Sequence, residues 1–153
     1  MLKTRLLTAA VLIPLVIWGV LALPTAYFSL LIALIVAQAA WEWSALAGMT
    51  QLFWRALYVS LLLLSLWAVS TLAPALVLVI AVVGWCLATV IALRHPADVV
   101  WLARANVASL AGVWVLVPAW FALVQLHALP GQGAYWVLFL MALIWSADVA
   151  AYF

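Results

Sequence analysis

The chain has 153 residues, of which 74% are hydrophobic and only 5% are charged, and its formal net charge is +2. A soluble domain carries about 25% charged residues, so this composition excludes a water-soluble globular protein. The small net charge, with no basic stripe, excludes a nucleic-acid-binding surface. A single cysteine, Cys86, excludes an internal disulfide.

Charged residues and Pro/Gly clusters divide the chain into six apolar blocks. Each is long enough for an α-helix across a hydrocarbon core of about 30 Å. The predicted spans are Leu6–Leu23, about Ala26–Ala47, about Ala56–Leu72, the stretch from the turn at Pro74 to Leu93, about Val107–Leu126, and Ala134–Phe153. Polar connections are predicted at Gly48–Arg55, Arg94–Asn106 and His127–Gly133. The fold class is therefore all-α, a polytopic transmembrane helical bundle of about six spans.

The first block follows Lys3 and Arg5, as the core of a signal peptide would. Its apolar run exceeds the usual core of about 7–15 residues, and no small-x-small cleavage site follows it. An uncleaved first span is therefore predicted. Pro14 and Pro118 lie inside predicted spans, and membrane helices tolerate proline because neighbouring groups satisfy the freed backbone.

The basic residues predict the orientation of the chain in the membrane. All of them fall before the first span or in the second and fourth connections, on one side: Lys3, Arg5, Arg55, Arg94 and Arg104. The excess of Lys and Arg in cytoplasmic loops makes that side cytoplasmic. The N-terminus is predicted inside, and the sixth span runs inward.

The longest polar segment, Arg94–Asn106, has two interpretations. Asp98 is placed to cap a short helix, and Trp101 suits the headgroup region. An interfacial helix on the inner leaflet is one interpretation, and an ordinary polar loop is the other.

Two of the three acidic residues lie inside apolar blocks, toward the cytoplasmic ends of their spans. Glu42 lies between Trp41 and Trp43, and Asp148 follows Trp145-Ser146-Ala147. An acid near the middle of a membrane costs about 2.5–3.5 kcal/mol on insertion scales and therefore usually faces a protein interior or a polar cavity. Asp148 is predicted to be functional. Glu42 is either an interfacial anchor with its flanking tryptophans or a second residue lining an inward-facing site.

Both acid-bearing spans also carry small residues at four-residue spacing, which lets membrane helices approach closely. These residues are Ala40, Ser44 and Gly48 in the second span, and Ala142, Ser146 and Ala150 in the sixth. The pattern predicts contact between the two helices, with Ser44 and Ser146 near each other. His95 and His127 are too isolated to predict a metal cluster.

Four segments stand out in order along the chain: Met1-Leu2-Lys3 with Arg5, Thr8-Ala9 and Leu12-Ile13-Pro14; Ala39-Ala40-Trp41-Glu42-Trp43 with Gly48; Gly112 with Val117-Pro118; and Trp145-Ser146-Ala147-Asp148-Val149-Ala150-Ala151-Tyr152-Phe153. Together they resemble the corresponding segments of bacterial phosphatidate cytidylyltransferases, the CDP-diglyceride synthase family. The last segment resembles that family's W-x-x-D-x-x-A-Y motif.

The resemblance implies a multi-pass enzyme of the bacterial cytoplasmic (inner) membrane, active in phospholipid biosynthesis. Its substrates are CTP and phosphatidate, which give CDP-diacylglycerol and diphosphate. Mg²⁺ is the expected cofactor because both substrates are polyanions. Asp148 matches the family's Asp-x-x-Ala-Tyr acid and is expected to be catalytic, supporting the metal or nucleotide site. Glu42 and Ser146 are expected to be structural or to line that site.

The resemblance also has a departure. Family members are nearly twice as long, and their Gly/Lys-rich cytoplasmic stretch and C-terminal basic and acidic signature have no counterpart in this sequence. Residues 1–153 are therefore expected to be the N-terminal transmembrane part, with the C-terminal catalytic part absent and no transferase activity on their own. A homo-oligomer is compatible with the sequence.

Two other functions are compatible with the composition. A non-enzymatic membrane protein, such as a transporter subunit or scaffold, explains the spans equally well but does not explain the ordered motifs. A related CTP-transferase acting on an isoprenoid lipid is the other, although the start motif favours the acyl-lipid enzymes.

Overall fold

The computed structural model describes the backbone of residues 2–94 and 104–152, and the side chains of residues 10–94 and 104–151. This part of the chain consists of helices and short connections, with no strand. The six α-helices in chain order are α1 Leu2–Ala22, α2 Thr25–Leu46, α3 Leu52–Ser70, α4 Pro74–Arg94, α5 Ala105–His127 and α6 Gly133–Tyr152. Each predicted apolar block is thus one helix. The predicted interfacial helix around Asp98 and Trp101 lies outside the described residues.

Five of these helices, α2 to α6, are long and apolar enough to cross a membrane. In α1 the apolar stretch within the described side chains is Ala10–Ala22. Large apolar side chains point outward all along the helices, for example Leu34 at 70% and Leu110 at 71% exposure. Such surfaces match hydrocarbon, whereas soluble proteins rarely expose large contiguous apolar patches. The chain is therefore a polytopic helical membrane protein, as its composition predicts.

The start of α3 differs from the predicted boundary. Arg55 was expected in the connection after α2, but α3 begins at Leu52 and Arg55 lies in its first turn. Gln51 precedes the helix in an extended conformation, with φ −85° and ψ 133°. A charged side chain is compatible with the end of a membrane helix because its long stem lets the charged group reach beyond the apolar region. The prediction was wrong because it took the basic residue Arg55 as the boundary of the apolar span.

Helix α2 ends in a Schellman motif centred on a glycine. Gly48 has φ +83°, its N–H donates to the Ala45 carbonyl, and the Met49 N–H donates to the Ser44 carbonyl. These bonds satisfy carbonyl groups that the helix itself leaves without partners. Gly48 therefore terminates the helix, and it does not extend the small-residue stripe predicted from Ala40 and Ser44. Pro14 and Pro118, in contrast, lie inside continuous helices as expected.

The chain divides into two compact units. Unit 1 comprises the described parts of residues 1–30 and 123–153, and unit 2 comprises those of residues 31–122. In unit 1, α1 packs against α6, and the buried side chains include Val20, Phe28 and Val137. In unit 2, the buried side chains include Leu62, Leu66 and Phe121.

A buried histidine joins three helix ends in unit 1. His127, the last residue of α5, is 9% exposed. Its Nε2 lies 3.0 Å from the Val20 carbonyl oxygen, and its Nδ1 lies 3.0 Å from Thr25 Oγ1. Because a carbonyl only accepts, Nε2 donates to Val20, and Nδ1 shares a hydrogen bond with the Thr25 hydroxyl. The imidazole also stacks on Phe28 at 4.1 Å between ring centroids. His127 is therefore a structural residue of unit 1.

Replacing His127 with alanine removes two hydrogen bonds and one ring contact. We expect His127→Ala to lower the free energy of unfolding in detergent micelles by about 1–3 kcal/mol, since each membrane-protein hydrogen bond contributes about 0.6 kcal/mol and a ring pair about 0.5–1.5. Tyr135→Ala, which truncates a 63% exposed aromatic residue, is the matched control. Equal losses for both variants in a denaturing-detergent titration would contradict this role.

Candidate functional site

The acid predicted to be functional lies on an open face of α6. Asp148 is exposed, and it forms no hydrogen bond or ion pair with any residue that the structure describes. Its neighbours one turn back, Ile144 and Trp145, are 52% and 38% exposed. A carboxylate on an apolar helix is costly in a membrane unless it has a partner. Within the described side chains, residues 10–94 and 104–151, Asp148 therefore has no partner.

Ser146, the second predicted site residue on α6, points away from Asp148. Residues two apart on an α-helix are about 200° apart around its axis, which places their side chains on nearly opposite faces. The Ser146 hydroxyl donates to the Ala142 carbonyl of its own helix, and Ser146, Ala142 and Ala150 are all exposed. One ligand on the Asp148 face therefore does not meet the Ser146 side chain directly. The predicted contact between Ser44 and Ser146 stays a prediction.

Glu42 lies on the surface of unit 2 with a partner on its own helix. It is exposed, and its Oε1 accepts a hydrogen bond of 3.0 Å from Gln38 Nε2, one turn earlier. Such i,i+4 pairs stabilise a helix by about 0.2–0.5 kcal/mol. The geometry gives Glu42 a local structural contact. A role in lining a site stays a prediction.

The two tryptophans beside Glu42 make specific contacts between helices. The Arg55 guanidinium carbon lies 4.0 Å from the centroid of the Trp41 ring. Arg55 Nη2 donates to the Trp41 carbonyl at 2.8 Å, and Arg55 Nε donates to Ser44 Oγ at 3.1 Å. The buried Ser44 hydroxyl in turn donates to the Trp41 carbonyl at 2.7 Å. We call Trp41, Ser44 and Arg55 the Arg55 cluster, and it ties the end of α2 to the start of α3.

Helix α5 joins the same end of unit 2 through two further bonds. Trp43 Nε1 donates to the Ala108 carbonyl at 2.7 Å, and the Tyr58 hydroxyl donates to the Ser109 carbonyl at 3.0 Å. Gly112 makes this approach possible, because a Cβ at that position would overlap both the Tyr58 hydroxyl and the Trp43 indole. The C-terminal end of α2 and the N-terminal ends of α3 and α5 therefore meet.

Sequence reasoning missed the Arg55 cluster. Arg55 served only as an indicator of orientation. Trp41 and Trp43 were considered only as flanks of Glu42, which was predicted either to anchor at the interface or to line a site. The hydrogen bonds of Arg55 join residues 11 and 14 positions apart, and the bonds to α5 join residues 65 and 51 positions apart. No local pattern marks such pairs. Gly112 was the one available signal, since a glycine within an apolar helix indicates a close approach of another group.

The described residues contain no group of three His, Cys, Asp or Glu side chains that could hold a metal ion. Of the three acidic residues in the sequence, only Asp148 belongs to unit 1. Mg²⁺ commonly binds through one or two protein carboxylates, phosphate oxygens and water. One protein carboxylate is the smallest number in that set, and Asp148 supplies one.

Comparison with known proteins identifies the family. A model of the cytidylyltransferase family matches residues 3–153, so the chain belongs to this family. It is also 41% identical, over 157 aligned positions, to a protein of Pseudomonas aeruginosa called phosphatidate cytidylyltransferase. That alignment covers 100% of this chain and 57% of the relative, so the chain spans somewhat more than half of the relative's length. No solved structure matches the chain.

The contact at Gly112 predicts a coupling between two substitutions. Gly112→Ala should lower the free energy of unfolding by about 1–3 kcal/mol, because the added Cβ overpacks against Tyr58 and Trp43. Tyr58→Phe removes the hydroxyl that this Cβ meets, so the double variant should recover part of the loss. Unfolding of the four proteins in detergent micelles gives the coupling energy.

Ala119→Val serves as the control, since Ala119 is an exposed residue of the same helix, and little change is expected. Strict additivity of Gly112→Ala and Tyr58→Phe would show that Tyr58 does not limit the space at Gly112.

Proposed function

We propose that this member of the cytidylyltransferase family is the N-terminal transmembrane part of a phosphatidate cytidylyltransferase. In the proposed reaction a phosphate oxygen of phosphatidate attacks the α-phosphorus of CTP. The new P–O bond forms as the bond to diphosphate breaks, giving CDP-diacylglycerol and diphosphate. The observation on which this rests most is the family match over residues 3–153, supported by the 41% identity to a protein of that name.

The apolar helices support the lipid side of this proposal. Phosphatidate resides in the bilayer, and five helices of the chain are suited to the same environment. CTP is a cytosolic solute, so we propose that the reaction takes place at the cytoplasmic face of the bacterial inner membrane. The relative is longer than this chain, and we propose that the activity belongs to a protein of that full length. The 153-residue chain alone should then convert no phosphatidate.

Asp148 is the residue that we assign to the reaction. Its carboxylate is exposed and unpaired among the described residues, and it lies in an otherwise apolar helix, where a charge without a functional partner is costly. We propose that Asp148 holds Mg²⁺ at the triphosphate. Bound Mg²⁺ supplies charge neutralisation and orientation of the phosphates. Asp148 itself contributes a fixed negative charge and an oxygen ligand.

Asp148→Asn in the full-length protein tests this assignment. Loss of the negative charge should reduce kcat/KM for CTP at least about 100-fold, comparable with the loss of one electrostatic group in other active sites. The measurement is conversion of radiolabelled CTP into CDP-diacylglycerol by membranes containing equal amounts of each protein. Raising the Mg²⁺ concentration should restore Asp148→Glu more than Asp148→Asn.

Glu42→Gln is the matched control, because Glu42 is also an exposed acid on an apolar helix but is paired with Gln38. It should keep activity within about twofold, since it loses only an i,i+4 contact. Full activity of Asp148→Asn, or equal losses for both variants, would refute the assignment. Transferase activity of the purified 153-residue chain would refute the proposal that activity needs the longer protein.

The proposed orientation has its own test. In a Cys86→Ser background, Gln132→Cys should react with a membrane-impermeant maleimide on intact spheroplasts, because the connection between α5 and α6 is predicted outside. Thr50→Cys should react only after permeabilisation, since the connection between α2 and α3 is predicted inside. The opposite labelling pattern would invert the topology and place Asp148 toward the outer face.

A further inference from the structure

A groove of about 340 Å³ runs between α3 and α5 in unit 2. Its α3 wall includes Leu61 and Ser65, and its α5 wall includes Leu110 and Val113. Leu61 is 55% exposed and Leu110 71% exposed, so the groove opens sideways, toward the surroundings of the helices. The volume lies at the lower end of the range of about 300–1,000 Å³ that is typical of small-molecule sites.

The polar atoms in the groove walls already have partners. The Ser65 hydroxyl donates to the Leu62 carbonyl, and the Ser109 hydroxyl donates to the Ala105 carbonyl. The Tyr58 hydroxyl donates to the Ser109 carbonyl. The groove therefore presents apolar surface to an occupant, and it extends over about two helical turns, or roughly 10 Å, from Tyr58 to Ser65. These properties suit a narrow apolar chain and disfavour a polar ligand.

Two arginines precede, along the chain, the helix segments that line one end of the groove. Arg55 lies one turn before Tyr58 on α3, and Arg104 immediately precedes α5. The Tyr58–Ser109 bond shows that these two helix starts lie side by side. No ion pair joins either arginine to a carboxylate among the described residues. Arg55 uses two of its five N–H donors for Ser44 and Trp41, and no described residue accepts from the other three.

Backbone N–H groups at the start of α3 are hydrogen-bond donors near the two arginines. The first-turn N–H groups of α3 have no partner within the helix, and Gln51 makes no side-chain cap bond to them. A helix start also carries a partial positive charge. An apolar groove with arginines near one end is complementary to an amphiphile that has an apolar chain and an anionic head group.

We propose that this groove binds a segment of one acyl chain of an anionic phospholipid, with the lipid phosphate at Arg55 and Arg104. The occupant comes from the bilayer, because the groove opens sideways and its walls are apolar. Burial of the chain gives little preference over the surrounding lipid, since hydrocarbon and leucine are equally apolar. The arginines therefore provide the selectivity for anionic lipids. The site does not depend on the proposed transfer reaction.

Native mass spectrometry of the purified 153-residue chain tests the proposal. The chain is released from detergent with equal amounts of phosphatidylglycerol and phosphatidylcholine that have the same acyl chains. Phosphatidylglycerol should be retained preferentially. Arg104→Gln should reduce that preference about fivefold, the contribution of one basic residue near an anionic lipid. Arg94→Gln, which removes an exposed arginine at the end of α4, should leave it unchanged.

A second pair of variants tests the groove itself. Val113→Trp fills it and should reduce retention of phosphatidylglycerol about tenfold. Val79→Trp adds the same bulk on the 59% exposed face of α4 and should have no effect. Equal retention of the two lipids by the wild-type chain, or equal effects within either pair of variants, would overturn the proposal.

Photocrosslinking keeps the proposal testable if Val113→Trp fails to fold. Phosphatidylglycerol with a diazirine near the end of one acyl chain is bound to the wild-type chain and irradiated. Peptide mapping should place the adducts at Leu61, Ser65, Leu110 or Val113. Adducts spread evenly over the exposed faces of α3, α4 and α5 would show a general lipid annulus and overturn the proposal.

Discussion

The arrangement of this chain depends on the need of every backbone N–H and C=O group for a partner in apolar surroundings. The α-helix meets that need within each segment, and the described chain is helical from end to end except at short connections. At the helix ends, loop N–H groups and side chains supply the hydrogen-bond partners. The Schellman bonds at Gly48 satisfy carbonyls of α2, and the Arg55 guanidinium adds a donor to the Trp41 carbonyl. Among the described residues, no buried side-chain polar atom lacks a hydrogen-bond partner.

Polar bonds between helices accordingly occur near helix ends. In unit 2 they link the end of α2 to the starts of α3 and α5, through Arg55, Trp43 and Tyr58. In unit 1 His127 links the ends of α1 and α5 to the start of α2. Each bond contributes little, about 0.6 kcal/mol on average in a membrane protein. Their importance lies in orientation, since apolar faces alone can slide past one another without losing contact with hydrocarbon.

Asp148 stands apart from this network. The described polar groups that hold helices together have partners, whereas the Asp148 carboxylate has none within the described chain. Arg55 is intermediate, because it is anchored through two N–H groups and retains others. These two residues account for the two proposals: a carboxylate available to the nucleotide and its metal, and a cation available to the phosphate of a lipid. In both cases the charge is placed on a helix that is otherwise apolar.

The amino-acid sequence by itself determined the class of protein, the number and approximate bounds of the helices, and the family. Composition and apolar run length decide the class and the helices, because the hydrocarbon thickness sets the length of a spanning helix. The four ordered motifs carry the resemblance to the family. The sequence also singled out Asp148, since an acid in an apolar block is visible without a structure. Only the tertiary structure decided that Trp41 and Trp43 hold helices together, that Gly112 admits Tyr58, and that α3 and α5 enclose a groove. Those features join residues far apart in the chain. They depend on which helix faces meet, and in uniformly apolar helices no polar–apolar pattern marks the buried face.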